Sequence, residues 1–143
     1  MNLGFFSCLL MMKRNNVYYE QIEDLSGLSK NHPLLSLSLL VILFSLAGIP
    51  PLAGFFAKFY IFKSVIEQSM YFLAIVGLLS TVVAAFYYLR IIKIMYFDEE
   101  KDSFDKDHSF WLKFSLTIST LIILVYFIFP SQLIDAVSKI NII

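Results

Sequence analysis

Between residues 34 and 62 one side chain carries charge, Lys58, and the run that holds it is punctuated by Gly48, Pro50, Pro51 and Gly54. The local order is Leu46-Ala47-Gly48-Ile49-Pro50-Pro51-Leu52-Ala53-Gly54-Phe55-Phe56-Ala57-Lys58-Phe59-Tyr60. A bilayer accepts irregular backbone only where protein or a water-filled cavity shields it. An ionisable side chain at that depth is costly, and marks a path for ions or protons. Break and lysine together predict a discontinuous membrane helix on such a path. Lys58 is the candidate group on that ion or proton path, and Gly48, Pro50, Pro51 and Gly54 are expected to shape the break.

The proline pair predicts how the break is built. Neither ring has an N–H, and Pro50 disfavours helical geometry at Ile49. Carbonyls near residues 44–48 should lose their intrahelical partners, and the downstream half should open on proline. Free carbonyls on one side and a partial positive dipole on the other are what broken transporter helices present to ions or water. Lys58 falls two turns into the second half, with Gly54 one turn earlier and Ala57 beside it, a flank small enough for close approach. Phe55, Phe56, Phe59 and Phe62 supply bulk around the rest. A second reading stands beside this one. Lys63 is about 7.5 Å further along the axis, so Lys58 could instead stretch to the same surface. Spacing alone leaves both open.

The elements that would position this lysine follow from the lengths of the apolar runs. Residues 34–68 are too long for one straight span of about 20 residues and too short for two, so one span with an unwound middle fits. Residues 71–89 carry no charge and make about 28 Å of helix, enough to cross. Gly77, Ser80, Thr81, Ala84 and Ala85 give that helix a small-residue face. Its end, Tyr87-Tyr88-Leu89-Arg90-Ile91-Ile92-Lys93, reads as an interfacial anchor, or else Arg90 and Lys93 open a path to water. Residues 114–134 form a last uncharged run, kinked or stopped by Pro130, before a tail with Asp135 and Lys139. Residues 1–12 cover only about 18 Å, which reads as the later part of a longer helix or a short segment held by partners. The expected fold is an all-α membrane protein, with a partial helix over 1–13, a broken helix over 34–68, a helix over 70–97 and a helix over 111–135. That is three full transmembrane helices, the first discontinuous at Pro50-Pro51, plus a partial N-terminal one.

The connections are polar. Ile22, Leu25 and Leu28 predict a short amphipathic helix at the interface, stopping near Gly27. His32 reads as a solvated loop residue before Pro33. Asp98-Glu99-Glu100 and His108 read as solvated faces of a polar loop over 98–113, not as metal ligands. Lysine and arginine set the orientation. Lys13, Arg14, Lys30, Arg90, Lys93, Lys101, Lys106 and Lys113 share one side and only Lys63 and Lys139 the other, so the first and third connections are expected inside and the C-terminus outside.

Composition agrees and excludes much else. Of 143 residues, 59% are hydrophobic and only 15% charged, with a mean hydropathy of +0.77, against about a quarter charged in soluble domains. Zero net charge offers no field for nucleic acid. Cys8 is the single cysteine, so no internal disulfide is available and it reads as a small apolar filler. Lys13 and Arg14 follow the first apolar run where a signal peptide's charges precede it. No phosphate-binding glycine loop, Cys/His ligand set or Ser-His-Asp trio is legible.

The run from Ser45 to Tyr60 resembles the proton-antiporter-like membrane subunits of respiratory complex I, and most closely the subunit N (mitochondrial subunit 2) type. Met1-Asn2-Leu3-Gly4-Phe5-Phe6, Glu23-Asp24-Leu25-Ser26-Gly27-Leu28 and Tyr87 to Phe97 match further stretches in family order. Sister subunits carry an acid at the lysine's position, or an acid after the lysine; Phe59 after Lys58 favours subunit N. The resemblance covers the last third of a member of about fourteen helices. It implies that Lys58 is the buried basic residue of the second discontinuous helix, on the outlet side of a proton channel, and that the chain acts enzymatically only within a proton-translocating NADH:quinone oxidoreductase. NADH, FMN, iron–sulfur clusters and quinone would belong to other subunits, with no cofactor in this chain. Implied partners are the other complex I membrane subunits, the lipid bilayer and a separate chain supplying the remaining helices. A multisubunit cation/proton antiporter and a split-gene or truncated piece with a structural role are the alternatives. The expected location is a bacterial inner membrane, with the C-terminus periplasmic; the mitochondrial inner membrane is the alternative.

Overall fold

Gly48 decides where the long apolar run changes course. In the computed structural model, which describes residues 1–14, 17–18, 21–99, 104 and 109–128, helix α3 (Pro33–Ala47) opens with Pro33 in its first turn and ends where Gly48 adopts φ 85°. Only glycine takes that left-handed geometry without a Cβ penalty. The cap is a Schellman motif: the Gly48 amide donates to the Ser45 carbonyl, and the Ile49 amide reaches back to Phe44 at 3.1 Å. Ile49 to Leu52 then form a turn, closed by the Leu52 amide on the Ile49 carbonyl at 3.1 Å. The Pro50–Pro51 bond inside it is cis. Helix α4 (Ala53–Glu67) starts after an extended Leu52. The expected proline opening of this half-helix is therefore wrong. Both prolines are used at the corners of the turn, and the first free amides belong to Ala53 and Gly54.

The other elements are α1 (Asn2–Met11), α2 (Leu28–Asn31), α5 (Tyr71–Phe97) and α6 (Phe110–Ile128), with a two-residue antiparallel ladder of β1 (Lys13–Arg14) on β2 (Val17–Tyr18). The described chain is thus all-helical but for that ladder. With 27 residues, α5 alone among the described residues is long and apolar enough to cross a membrane. At 15 residues each, α3 and α4 reach about 22 Å apiece and neither spans by itself.

Packing in an apolar phase relies on close approach of small residues, because lipid removes the hydrophobic drive between helices. The α1–α6 seam is built this way. A Cβ on Gly4 would stand 2.8 Å from the Ser119 Cβ; one turn on, the Ser7 hydroxyl donates to the Leu3 carbonyl and lies 2.9 Å from the Ser115 hydroxyl. Cys8, Met11, Leu39, Ile42, Leu43, Ile92, Met95, Leu116 and Ile123 fill the core between α1, α3, α6 and the last turns of α5. Cys8 is fully buried there. On α5 the Ser80 and Thr81 hydroxyls turn back onto the Gly77 and Leu78 carbonyls, 2.7 Å each, while Gly77 receives the Phe62 ring of α4.

The first connection differs from its expected form. Ile22–Leu25 make one 3-10 turn, Gly27 takes φ 67°, and α2 begins at once. Leu25 and Leu28 are buried but Ile22 is exposed, because four residues are too few to carry a continuous apolar face. This segment clasps the end of α5: the Gly27 amide donates to the Ile94 carbonyl at 3.3 Å and the Ser26 hydroxyl to the Glu99 carbonyl at 2.6 Å. His32 is not a solvated loop residue. It is partly buried, stacks on Phe104 at 6.3 Å, and its Nε2 has no hydrogen-bond partner among the described residues. Glu100, Lys101, Lys106, His108, Pro130, Asp135 and Lys139 lie outside the described residues.

Candidate functional site

A helical carbonyl expects an amide four residues on. For Leu46 and Ala47 those positions are Pro50 and Pro51, which have no N–H to give. The two oxygens left over are the two that Lys58 engages. Its ammonium nitrogen donates to the Leu46 carbonyl at 2.9 Å and to the Ala47 carbonyl at 3.0 Å. Both distances are those of good hydrogen bonds. Phe44 and Ser45, the two carbonyls before them, are consumed by the Schellman cap. Of the four carbonyls from Phe44 to Ala47, the cap takes the first two and Lys58 the last two.

Lys58 reaches the pair because helical side chains lean toward the N-terminus of their own helix. That lean carries its stem over Gly54 and back to the break. Gly48 clears the way: a Cβ there would lie 3.1 Å from Cδ and 3.3 Å from Nζ of Lys58. A cation at the C-terminal end of α3 also meets the negative end of that helix's dipole. The amine points into the break and not along α4 toward Lys63, which instead faces Glu67 at 3.8 Å, with both side chains well exposed.

Gly54 holds the two half-helices together. A Cβ on it would overlap the Ser45 carbonyl oxygen. Its amide, one of the orphan donors at the start of α4, donates to the Ser45 hydroxyl at 3.2 Å, and that hydroxyl faces the Met1 sulfur at 2.9 Å. Ser45 is fully buried. It is a positioning residue that the sequence reading passed over, although it is the one hydroxyl between residues 39 and 57. Within α4 Phe55 stacks on Phe59 at 6.0 Å; other elements hold the helix through Phe56 on Tyr126 of α6 at 5.6 Å and Phe62 on Gly77 of α5. Pro50 and Pro51 are exposed at the turn.

Arg90 and Lys93 are exposed on α5 and stand apart from the break. From the level where Phe62 meets Gly77, Arg90 is about 20 Å along α5, while Lys58 is only about 6 Å along α4. Among the described residues no group of His, Cys, Asp and Glu is arranged to hold a metal.

An apolar helical protein whose central helix is interrupted, with an amine seated on the interrupted carbonyls, has the architecture of discontinuous-helix membrane proteins. A family model described as NADH:quinone oxidoreductase/Mrp antiporter, TM, matches residues 1–84. The chain belongs to that family. It is 80% identical over all 143 residues to NADH-quinone oxidoreductase subunit N of Pelagibacter ubique, covering 30% of that protein. It is 49% identical to subunit N of Parvibaculum lavamentivorans over 95% of this chain and 28% of that one. Among solved structures it is similar to a chain of respiratory complex I from Thermus thermophilus with bound aureothin, with a TM-score of 0.74 and 26% identity over 90% of this chain and 30% of that chain. The chain thus spans under a third of the length of the relatives it matches.

Proposed function

We propose that this chain is a membrane portion of a proton-translocating NADH-quinone oxidoreductase of the subunit N type, and that it forms the outlet-side half of a proton channel with Lys58 as the carrier. The observation that carries this reading is the Lys58 ammonium on the Leu46 and Ala47 carbonyls. It sits at a helix break that a water-filled path needs and a lipid-facing surface does not tolerate. In this reading α3 and α4 act as one broken crossing, with α5 and α6 as two more. The connections rich in Lys and Arg face the cytoplasm, and the outlet opens to the periplasm. Arg90 and Lys93 anchor α5 at the cytoplasmic interface. The partners are the other membrane subunits of the complex, together with the helices that complete subunit N, on the same or a separate chain.

Chemically, Lys58 gives up its proton toward the outlet and regains one from within the membrane arm. Electron transfer elsewhere in the complex supplies the drive. Replacing Lys58 by Met keeps the stem and removes the donor. The expected result is an assembled complex that oxidises NADH but moves fewer protons per electron. An assembled Lys58→Met complex pumping at the wild-type ratio would remove Lys58 from the path and leave the structural reading. The antiporter reading is favoured by the Mrp half of the family's description; sodium-dependent transport without NADH oxidation would select it.

A further inference from the structure

At the other end of α3 from the break, the last residue of α1 and the first turns of α3 and α6 line a cavity of about 460 Å³, within the range of about 300–1,000 Å³ that holds small ligands. Met11, Leu35 and Leu116 give it an apolar lining, and Asn31, His32 and Lys113 add polar groups. The polar groups come from the helix ends: Asn31 and His32 stand just before Pro33, and Lys113 is in the first turn of α6. From there the lining reaches Ser38 on α3 and Thr117 on α6, only about 7.5 and 6 Å further along. Polar at the rim and apolar within two turns is the profile of a bilayer lipid, headgroup first and then chain. Among the described residues that line the cavity none is acidic, while Lys30 adjoins Asn31 and Lys13 lies two residues beyond Met11. An ammonium has three donors, so Lys113 can serve a phosphate oxygen alongside the interaction it already makes. His32 keeps a buried Nε2 with no hydrogen-bond partner among the described residues, a group that a bound headgroup or a water would satisfy. Basic pockets between membrane helices are where anionic headgroups settle.

We propose that this cavity seats one anionic phospholipid of the phosphatidylglycerol kind, its phosphodiester against Lys113 and Asn31 and the first carbons of an acyl chain on Met11, Leu35 and Leu116. Leu34, in the same wall, is 80% exposed, so the lining continues onto the outer surface of α3, where the rest of the acyl chain follows. The site needs only that the chain lies in a membrane. It is independent of what Lys58 carries.

The test uses the whole assembled complex in phosphatidylcholine nanodiscs holding a trace of phosphatidylglycerol with a diazirine near the start of one acyl chain. After photolysis, peptide mapping should find label on residues 31–38 and 113–117, severalfold above that left by the same diazirine on phosphatidylcholine. Lys113→Glu should bring the two probes level, and Leu35→Trp, which fills the apolar part, should lower both. Absence of label from these segments overturns the inference, as does equal labelling by the two probes in the wild type or labelling that neither variant changes. Benzoylphenylalanine in place of Leu35 should cross-link to lipid; cross-links to protein alone would put another helix of the complex in the cavity and overturn the inference too. Should Lys113→Glu not assemble, the wild-type complex carries the test. Its preference for the phosphatidylglycerol probe should shrink as salt rises from about 0.01 to 1 M, because screening shortens the reach of an exposed charge, and a preference indifferent to salt overturns the inference. Labelling does not depend on pumping, so neither result bears on the carrier role of Lys58.

Discussion

The Lys58 nitrogen stands 2.9 Å from the Leu46 carbonyl oxygen, whose helical amide partner would have been Pro50. The relationship makes one side chain serve two elements: it is covalently part of α4 and caps the end of α3. A charged donor makes hydrogen bonds about twice as strong as a neutral one. Loss of the lysine's proton therefore weakens the joint between the half-helices as well as changing the local charge. Proton occupancy and the geometry of the break are linked through the same two bonds.

Gly54→Ala and Gly77→Ala separate backbone contact from side-chain contact. At Gly54 the new Cβ overlaps a carbonyl oxygen of α3; at Gly77 it meets the edge of the Phe62 ring at 2.7 Å. A ring edge can shift, whereas a capped backbone cannot. Overpacking costs about 1–3 kcal/mol where neighbours adjust and more where they do not. Gly54→Ala should strongly lower the amount of assembled complex in membranes and Gly77→Ala should lower it mildly, as read by native gels. Equal amounts would mean that α3 and α4 do not touch at Gly54.

Ser45→Ala removes the acceptor for the Gly54 amide. A buried donor left without a partner costs about 1–3 kcal/mol. The purified complex should lose this chain at lower temperature than the wild type, and under the proposed carrier role of Lys58 proton pumping should fall with it. Ser45→Thr retains the hydroxyl and should lie between the two. If alanine and wild type dissociate at the same temperature, Ser45 does not set the joint.

Lys63→Ala, Glu67→Ala and the double variant provide the contrast. Their pair is 3.8 Å apart with 57% and 65% of the side chains exposed, and such surface pairs contribute little. Assembly and pumping per electron should match the wild type in all three. A pumping loss in Lys63→Ala as large as that in Lys58→Met would move the path outward along α4.

The break, its lysine and its glycines were legible because each breaks a simple rule at a known place: a charge in an apolar run, and proline within helix length. The counting that pairs Leu46 with Pro50 and Ala47 with Pro51 was available too, yet only a folded chain shows which donor turns toward them. The start of α4 was misplaced because proline is favoured in a first turn but is equally at home at a turn corner. His32 was misread for a different reason: its neighbour Phe104 is distant in sequence, and local composition carries no trace of that contact. The α1–α6 seam left a signal that went unused, since Gly4 and Ser7, like Ser115 and Ser119, recur at helical spacing.

The 27 residues of α5 measure about 40 Å, but only the uncharged stretch 71–89, about 28 Å, matches roughly 30 Å of hydrocarbon. The end beyond it, which carries Arg90 and Lys93, is gripped by Gly27 at Ile94 and, just past the helix, by Ser26 at Glu99, so the rod cannot slide freely. In a bilayer thinner or thicker than the uncharged stretch, the lipid must adapt or the rod must lean. Acyl-chain length in reconstituted bilayers thereby becomes a mechanical input: thinning or thickening the slab swings α5 about its clasped end, and Phe62, seated on Gly77, passes that swing to the half-helix bearing the amine.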